Sequence, residues 1–261
     1  MKRIRYIVWF LATLLILLLA MLHPLLGSVQ VTADGVRGIE VMTPQVLPQG
    51  TAEISQELPA VQEPQPPQYT QVEESYFQDA LFIGDSRTVG LSMHGDLGEA
   101  DVFADEGLTV FRLFGAKVEF PEGKKTLEEL LTEKQYGKIY IMLGINELGY
   151  RMERSVEKYK EMLDTIRGYQ PKALIFLQAN LHVTKDFSQK DQTFTNPKID
   201  EINTAIAQMA DGWTCFYLDA NELFDDGEGN LDSNYASDEL HIQVKYYPRW
   251  VQWLLGKGIL L

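Results

Sequence analysis

The sequence contains one cysteine, and this scarcity excludes an internal disulfide and any metal site built from several thiolates. Cys215 lies in a strand-like run, so we expect a small buried side chain rather than a reactive thiol. Basic residues are also few, with 23 against 37 acidic residues and a formal net charge of −14. Because a nucleic-acid partner requires a concentrated basic surface, this composition argues against one. The chain shows no internal repeat, and its 261 residues provide one ordinary domain with accessory segments.

Acidic residues are absent from residues 1–27, where the composition is that of a membrane segment. Lys2, Arg3 and Arg5 precede residues 6–22, which carry no charge. Such a run is at the lower end of the length that spans a bilayer, and its basic flank favours the cytoplasmic side. We therefore predict a retained signal-anchor helix over residues 1–27 that places the remaining chain outside the membrane. A cleaved secretory signal, which would release the protein, is the alternative.

Residues 28–74 lack the apolar periodicity of a packed element and are rich in proline, glutamine and glutamate. A segment of this composition cannot bury enough apolar surface to fold, and its prolines stiffen it. We predict a disordered linker that connects the anchor to a folded domain over residues 75–261.

Strand-like and helix-like patterns alternate along this folded domain. The strand-like runs are residues 80–83, 101–104, 138–143, 173–178 and 214–218. The helix-like runs are residues 88–93, 126–134, 156–166, 199–209 and 247–255. Strands that alternate with helices of this length form a mostly parallel sheet with helices on both faces.

Residues suited to acyl transfer follow the ends of these strands. Ser86 ends the first strand, Gly107 follows the second, and Asn146 follows the third. Asp238 and His241 lie close together just before the last helix. Acyl transfer needs a nucleophile, a base, a group that orients the base, and donors for the oxyanion. Because parallel strands share one carboxyl edge, where open α/β sheets bind their ligands, we expect these residues to meet there.

These residues and their order resemble the SGNH (GDSL) hydrolase family, whose four sequence blocks are marked by Ser, Gly, Asn and His. The resemblance spans about residues 76–256, and the first block reads Gly84-Asp85-Ser86. It implies a flavodoxin-like three-layer α/β/α sandwich with a mostly parallel sheet. It also implies ester hydrolysis without a metal or an organic cofactor.

The resemblance gives a role to each residue of this group. It implies that Ser86 is the nucleophile and that the Ser86 N–H is one oxyanion donor. Gly107 would supply a second donor through its N–H, and Asn146 a third through its side-chain amide. His241 resembles the family's base, and Asp238 resembles the carboxylate that orients it.

Residues 87 and 147 are among the positions that depart from the family pattern, as are Glu239 and Tyr246-Tyr247 in the last block. The family usually has an aliphatic residue after the nucleophile, where this chain has Arg87, and an aspartate where this chain has Glu147. We treat both as candidate substrate-binding residues, because a guanidinium binds carboxylate or phosphate groups through its planar fork. A solvated or glutamate-paired Arg87 is the favoured alternative.

Other polar groups are weaker candidates. His94 follows Ser86 closely enough to be a rival base, and His182 is either an ordinary loop histidine or part of the cleft. The acidic residues of the segment 225–232 resemble a calcium loop. Their spacing departs from the order that such loops require, so we predict a polar turn and no metal site.

We expect a serine esterase that removes short acyl groups, above all acetyl, from an extracytoplasmic carbohydrate or cell-wall ester. The expected partners are a small-molecule or polysaccharide ester and, through the N-terminal helix, the membrane. The sequence indicates no particular protein partner. The alternatives are an O-acetyltransferase with a membrane partner, a lipase or lysophospholipase, and a tethered binding module with a degenerate hydrolase fold.

Overall fold

The computed structural model describes residues 65–260. The predicted signal-anchor lies outside that range, as does the predicted linker up to residue 64. Within residues 65–260, no helix is both long enough and apolar enough to cross a bilayer.

A parallel sheet forms the centre of the domain. The strands are β1 (Ala80–Gly84), β2 (Asp101–Ala104), β3 (Val118–Phe120), β4 (Gly123–Lys125), β5 (Lys138–Met142), β6 (Leu174–Gln178) and β7 (Cys215–Leu218). The sheet has the order β2-β1-β5-β6-β7, and each neighbouring pair is parallel. All five strand predictions are confirmed to within one residue at each end. The short antiparallel pair β3 and β4 was not predicted, because its alternating charged residues give no buried apolar run.

Helices cover both faces of the sheet. They are α1 (Ser86–His94), α2 (Leu127–Glu133), α3 (Met152–Tyr169), α4 (Lys185–Lys190), α5 (Asn196–Ala207), α6 (Asn221–Phe224) and α7 (Tyr247–Leu255). Alternate residues of β1 point to opposite faces, as the pleat of a strand requires. Leu81 and Ile83 pack in the core that α2, α3 and α5 cover, whereas Ala80 and Phe82 pack in the core that α1 and α7 cover. The predicted three-layer α/β/α sandwich is therefore confirmed.

A ladder of aromatic rings crosses the sheet on the face covered by α1 and α7. Phe82, Tyr140, Phe176 and Phe216 lie in register on four neighbouring strands. Their successive ring centroids are 4.5, 4.6 and 5.5 Å apart, and each neighbouring pair is stacked. Cross-strand aromatic pairs of this kind stabilise a sheet beyond the area they bury. The ladder therefore helps to fix β1, the strand that leads to Ser86.

The folded domain begins before residue 75, where the linker was predicted to end. Thr70 and Gly258 exchange backbone hydrogen bonds of 2.8 and 3.0 Å, and the Val72 N–H donates to the Leu255 carbonyl at 2.9 Å. Residues 70–72 thus pair with the C-terminal segment although their composition is that of a linker. Composition does not predict this contact because the few apolar side chains of the segment, such as Val72, which packs against the core, show no periodicity.

Candidate active site

Ser86 occupies the first turn of α1, directly beyond the end of β1. Asp85 caps this helix: its Oδ1 accepts the Arg87 N–H at 3.0 Å. The Ser86 Oγ is half-buried and lies 2.9 Å from Nε2 of His241, although the two residues are far apart in sequence. The structure thus brings the predicted nucleophile and the predicted base within hydrogen-bond distance.

His241 is held in turn by Asp238. The His241 Nδ1 lies 2.9 Å from Oδ2 of Asp238, and Oδ1 of the same carboxylate accepts the His241 backbone N–H at 2.7 Å. This pairing assigns the ring proton to Nδ1, which leaves Nε2 free to accept the Ser86 hydroxyl proton. Partial burial acts to raise the pKa of Asp238, but the hydrogen bonds from His241 outweigh it and lower this pKa.

Backbone hydrogen bonds fix the loop that carries Asp238 and His241. The Ser237 N–H donates to the His241 carbonyl at 2.8 Å, which closes the loop on itself. The Thr184 N–H donates to the Glu239 carbonyl at 2.9 Å, which attaches the loop to the segment after β6. Glu239 has a φ of +69°, a left-handed conformation that turns the chain between the two functional residues.

The two remaining predicted residues follow the strands on either side of β1. Gly107 is exposed in the loop after β2 and has a φ of +69°, which favours glycine. Asn146 lies in a 3-10 turn, Ile145–Glu147, directly after β5. The Asn146 Nδ2 donates to the Leu108 carbonyl at 3.1 Å, so it joins the two loops. These loops and Ser86 therefore share the carboxyl edge of three neighbouring strands.

Glu147 lies beneath this edge and does not face a substrate. Its side chain is 2% exposed, and Oε1 accepts the Val110 N–H at 2.6 Å. Burial raises the pKa of Glu147 to about 7. The prediction of a substrate-binding Glu147 is therefore wrong, because the carboxylate is enclosed and braces the loop after β2.

Arg87 is also enclosed. Its side chain is 2% exposed, and Nη2 donates to the carbonyls of Leu181 at 3.2 Å and Leu240 at 3.3 Å. Burial acts to lower the pKa of Arg87, although an arginine side chain stays protonated in proteins. Both predicted roles, a substrate-binding and a solvated or glutamate-paired arginine, are wrong, because the side chain is buried and its Nη2 is engaged by two backbone carbonyls.

The other histidines lie away from Ser86. The His94 ring packs against the Tyr247 ring, with centroids 5.7 Å apart. His182 lies between two carboxylates, with Nδ1 2.7 Å from Asp225 and Nε2 2.9 Å from Asp200. Both ring nitrogens of His182 are therefore occupied by carboxylates, and the imidazole in contact with Ser86 is that of His241 rather than of the rival base His94.

The segment 225–232 forms a turn held by its own side chains. Oδ1 of Asp226 accepts the backbone N–H groups of Glu228 at 2.9 Å and Asn230 at 3.1 Å. The Asp226 carboxylate is thus engaged by backbone donors of its own turn. The arrangement is that of a polar turn.

Comparison with known families agrees with this geometry. A model of the GDSL-like lipase/acylhydrolase family matches residues 82–247, which include Ser86, Gly107, Asn146, Asp238 and His241. The chain belongs to this family. The GDSL family hydrolyses ester bonds, and the protein is accordingly an ester-hydrolysing enzyme. A search of curated proteins finds no significant match.

Solved structures of GDSL proteins share the fold at low sequence identity. A GDSL-like lipase from Bacteroides thetaiotaomicron is 14% identical, with a TM-score of 0.52 over 71% of this chain and 88% of its own. A provisionally assigned lipolytic protein of the G-D-S-L family from Desulfitobacterium hafniense is 16% identical, with a TM-score of 0.51 over 67% of this chain and 97% of its own. A provisionally assigned platelet activating factor from Streptococcus pneumoniae is 20% identical, with a TM-score of 0.53 over 68% and 81%.

The buried carboxylate of this GDSL domain predicts a pH-dependent stability. Because the pKa of Glu147 is raised from 4.5 to about 7, the folded state retains a proton that the unfolded state releases between these values. The contribution of Glu147 to the free energy of unfolding is fully present below pH 4.5. It falls by up to about 3 kcal/mol as the pH rises to about 7. Glu147→Gln, which keeps an acceptor for Val110, should remove this loss.

Urea unfolding of wild type and Glu147→Gln at several pH values between 4.5 and 8 measures the effect. The free energy of unfolding of wild type should fall with pH relative to that of the variant. Burial also raises the pKa of Asp85, and the Asp85 charge helps to raise the pKa of Glu147, so the difference between the two proteins reports the effect of Glu147 together with its interaction with Asp85. Parallel pH profiles for the two proteins would contradict the assignment.

Proposed function

We propose that this GDSL enzyme is a serine esterase with Ser86 as its nucleophile, His241 as its base and Asp238 as the group that orients the base. The observation that carries the proposal is the continuous hydrogen-bonded series from the Ser86 Oγ through the His241 ring to the Asp238 carboxylate. A serine that merely caps a helix would need neither an imidazole at 2.9 Å nor a carboxylate behind that imidazole.

The geometry supports a two-step acyl transfer. His241 Nε2 removes the Ser86 hydroxyl proton as Oγ attacks the ester carbonyl, and Asp238 stabilises the imidazolium that forms. Negative charge on the carbonyl oxygen is met by the N–H groups of Ser86 and Gly107 and by the Asn146 amide. As the carbon–oxygen bond to the leaving group breaks, His241 protonates the leaving alkoxide, which departs as the alcohol and leaves an acyl-enzyme. Water, deprotonated by His241, attacks this acyl group and releases the acid and Ser86.

Three donors are available for the oxyanion. The Ser86 N–H lies in the first turn of α1, where a helix supplies no internal acceptor. The structure records no acceptor for the Gly107 N–H within residues 65–260. Asn146 donates one Nδ2 proton to the Leu108 carbonyl, and its second Nδ2 proton is available to the oxyanion. Because these donors belong to the ends of neighbouring strands, they are held in place before the reaction begins.

The proposed substrate is a short acyl ester, above all an acetyl ester, of a carbohydrate or cell-wall polymer. An aromatic pair beside the oxyanion loops supports a carbohydrate. Tyr150 is 51% exposed, and its ring centroid lies 4.7 Å from that of Phe111. Phe111 belongs to the loop that follows Gly107, and Tyr150 to the loop that follows Asn146. An exposed ring offers an apolar face to a pyranose and a hydroxyl to the solvent.

The proposed location is outside the cytoplasmic membrane. It depends on the charge and hydropathy pattern of residues 1–27, which predicts an anchor or a secretory signal. An enzyme held outside the cytoplasmic membrane could reach the sugar polymers of the cell envelope.

Acyl specificity of the full-length enzyme tests this proposal. We expect acetate release from O-acetylated oligosaccharides and p-nitrophenyl acetate, and much slower turnover of octanoyl esters. A preference for octanoyl or lysophospholipid esters would indicate the lipase alternative. Acetyl transfer to an added sugar faster than hydrolysis would indicate the transferase, and no turnover of any ester would favour the binding module.

A pair of aromatic variants tests the sugar contact in the same assay. Tyr150→Ala should raise KM for the oligosaccharide and leave p-nitrophenyl acetate hydrolysis unchanged. Trp213 is also exposed but precedes β7, at the opposite edge of the sheet, so Trp213→Ala is the matched control. Equal KM values for wild type and Tyr150→Ala on the oligosaccharide would exclude stacking at this ring.

A further inference from the structure

The residue that follows the nucleophile is a buried arginine. Arg87 is among the largest fully enclosed side chains of the domain, and its Nε has no acceptor within residues 65–260. Placing a guanidinium in a protein interior carries a large desolvation penalty, which hydrogen bonds to neutral carbonyls offset only in part. Part of that penalty is offset by the charges of the buried Asp85 and of Asp238, with which the guanidinium interacts. Its two hydrogen bonds, however, go to backbone carbonyls.

The two carbonyl groups that accept hydrogen bonds from Arg87 indicate the role of its guanidinium group. One is the carbonyl of Leu240, the residue that directly precedes His241. The other is the carbonyl of Leu181, in the segment that follows β6. A few residues further along this segment, the Thr184 N–H donates to the Glu239 carbonyl. The 239–240 stretch is thus held from both sides, by Arg87 on α1 and by the segment after β6.

We propose that Arg87 is a positioning residue that sets the distance between the His241 imidazole and the Ser86 hydroxyl by holding the Leu240 carbonyl. The inference rests on the proposed function in assuming that Ser86 and His241 react together. Arg87 shares the first turn of α1 with Ser86, so its buried guanidinium connects the nucleophile's helix directly to the base's loop. Reaction rates depend steeply on such distances, and a shift of about 1 Å costs roughly 100-fold.

Substitution of Arg87 by methionine and by lysine tests the proposal. Arg87→Met fills much of the volume without a donor, and we expect kcat for p-nitrophenyl acetate to fall about 100-fold with KM nearly unchanged. The rate of labelling of Ser86 by a fluorophosphonate should fall in parallel. Arg87→Lys keeps the charge, but an ammonium lacks the planar fork, so kcat should recover only in part.

Arg167 provides a matched control. It donates from Nη1 to the Ala173 carbonyl at 2.6 Å and from Nη2 to the Thr214 carbonyl at 3.3 Å, away from the carboxyl edge of the sheet. Arg167→Met therefore loses the same kind of contact and should lower the melting temperature without lowering kcat. A general effect of losing an arginine–carbonyl contact would reduce kcat in both variants.

Several outcomes overturn the positioning role. A kcat of Arg87→Met within about three-fold of wild type would do so, as would a change in KM alone, which indicates substrate contact. Full recovery of kcat in Arg87→Lys would show that charge rather than position matters. If Arg87→Met does not fold, Arg87→Lys decides alone: a ten-fold or larger loss of kcat at constant KM supports the proposal. Wild-type activity in Ser86→Ala would instead refute the proposed function itself.

Discussion

Replacing Ser86 by alanine should abolish the turnover of short acyl esters and leave the domain folded. Without Oγ no acyl-enzyme forms, and the loss of a nucleophile of this kind costs roughly 10⁴- to 10⁶-fold in kcat. The Ser86 hydroxyl is half-buried and has His241 as its partner, so its removal should change the free energy of unfolding by about 1 kcal/mol or less. This variant should therefore lose its activity and keep nearly the stability of wild type.

Acetate release and fluorophosphonate labelling measure the effect, with melting temperature as the check on folding. Ser92 lies on the same helix α1, and its hydroxyl donates to the Val89 carbonyl at 2.8 Å. Ser92→Ala is therefore a control that removes a serine hydroxyl of α1 away from His241, and it should keep both activity and labelling. Wild-type turnover by Ser86→Ala would mean that another residue is the nucleophile. Labelling of neither wild type nor variant would indicate an unactivated serine and a binding protein.

The sequence predicts the sheet well because its three inner strands, β1, β5 and β6, are buried on both faces. Each of the five strands is a short apolar run bounded by polar or turn residues, and such runs specify a parallel sheet largely by themselves. The location of Ser86 at the carboxyl edge follows from the strand that precedes it. Its pairing with His241 could be predicted only through the resemblance to a family, since no local pattern relates two residues so far apart in sequence.

The surroundings of Arg87 and Glu147 could not be predicted from the sequence. A charged side chain next to a catalytic serine is normally taken to face the solvent, because burial of a charge is costly. The segments around Leu181 and Leu240 enclose Arg87, and they become its neighbours only when the sheet forms. Glu147 is likewise enclosed by the loop around Val110. Burial of this kind is a property of the tertiary structure, and local composition contains no signal for it.

These two buried residues change how the site is understood. Arg87 braces the loop of His241, and Glu147 braces the loop of Gly107, so charged groups beneath the surface support the groups at the surface. A reactive geometry needs supporting contacts that hold it to a fraction of an ångström. The departures of this chain from its family at residues 87 and 147 therefore concern the rigidity of the site more than the choice of substrate.

Replacing Asn146 by alanine should lower kcat by roughly 10²- to 10³-fold, the usual cost of losing one oxyanion donor. The amide acts on charge that develops in the transition state, so KM should change little and kcat/KM should fall with kcat. The same substitution also removes the Nδ2 hydrogen bond to Leu108, which is worth about 1 kcal/mol to stability. A modest decrease in melting temperature should therefore accompany a large loss of activity.

The double role of Asn146 makes a second substitution informative. Asn146→Asp preserves size but replaces the donor by a carboxylate, which repels both the oxyanion and the Leu108 carbonyl. Its kcat should be at least as low as that of Asn146→Ala. Asn234→Ala, at an exposed asparagine whose Nδ2 bonds to Asp232 at 2.9 Å, controls for the loss of an amide side chain elsewhere. If Asn146→Ala retains kcat within about three-fold of wild type while its melting temperature falls, the amide only braces the Leu108 loop. The oxyanion would then be stabilised by the Ser86 and Gly107 N–H groups alone.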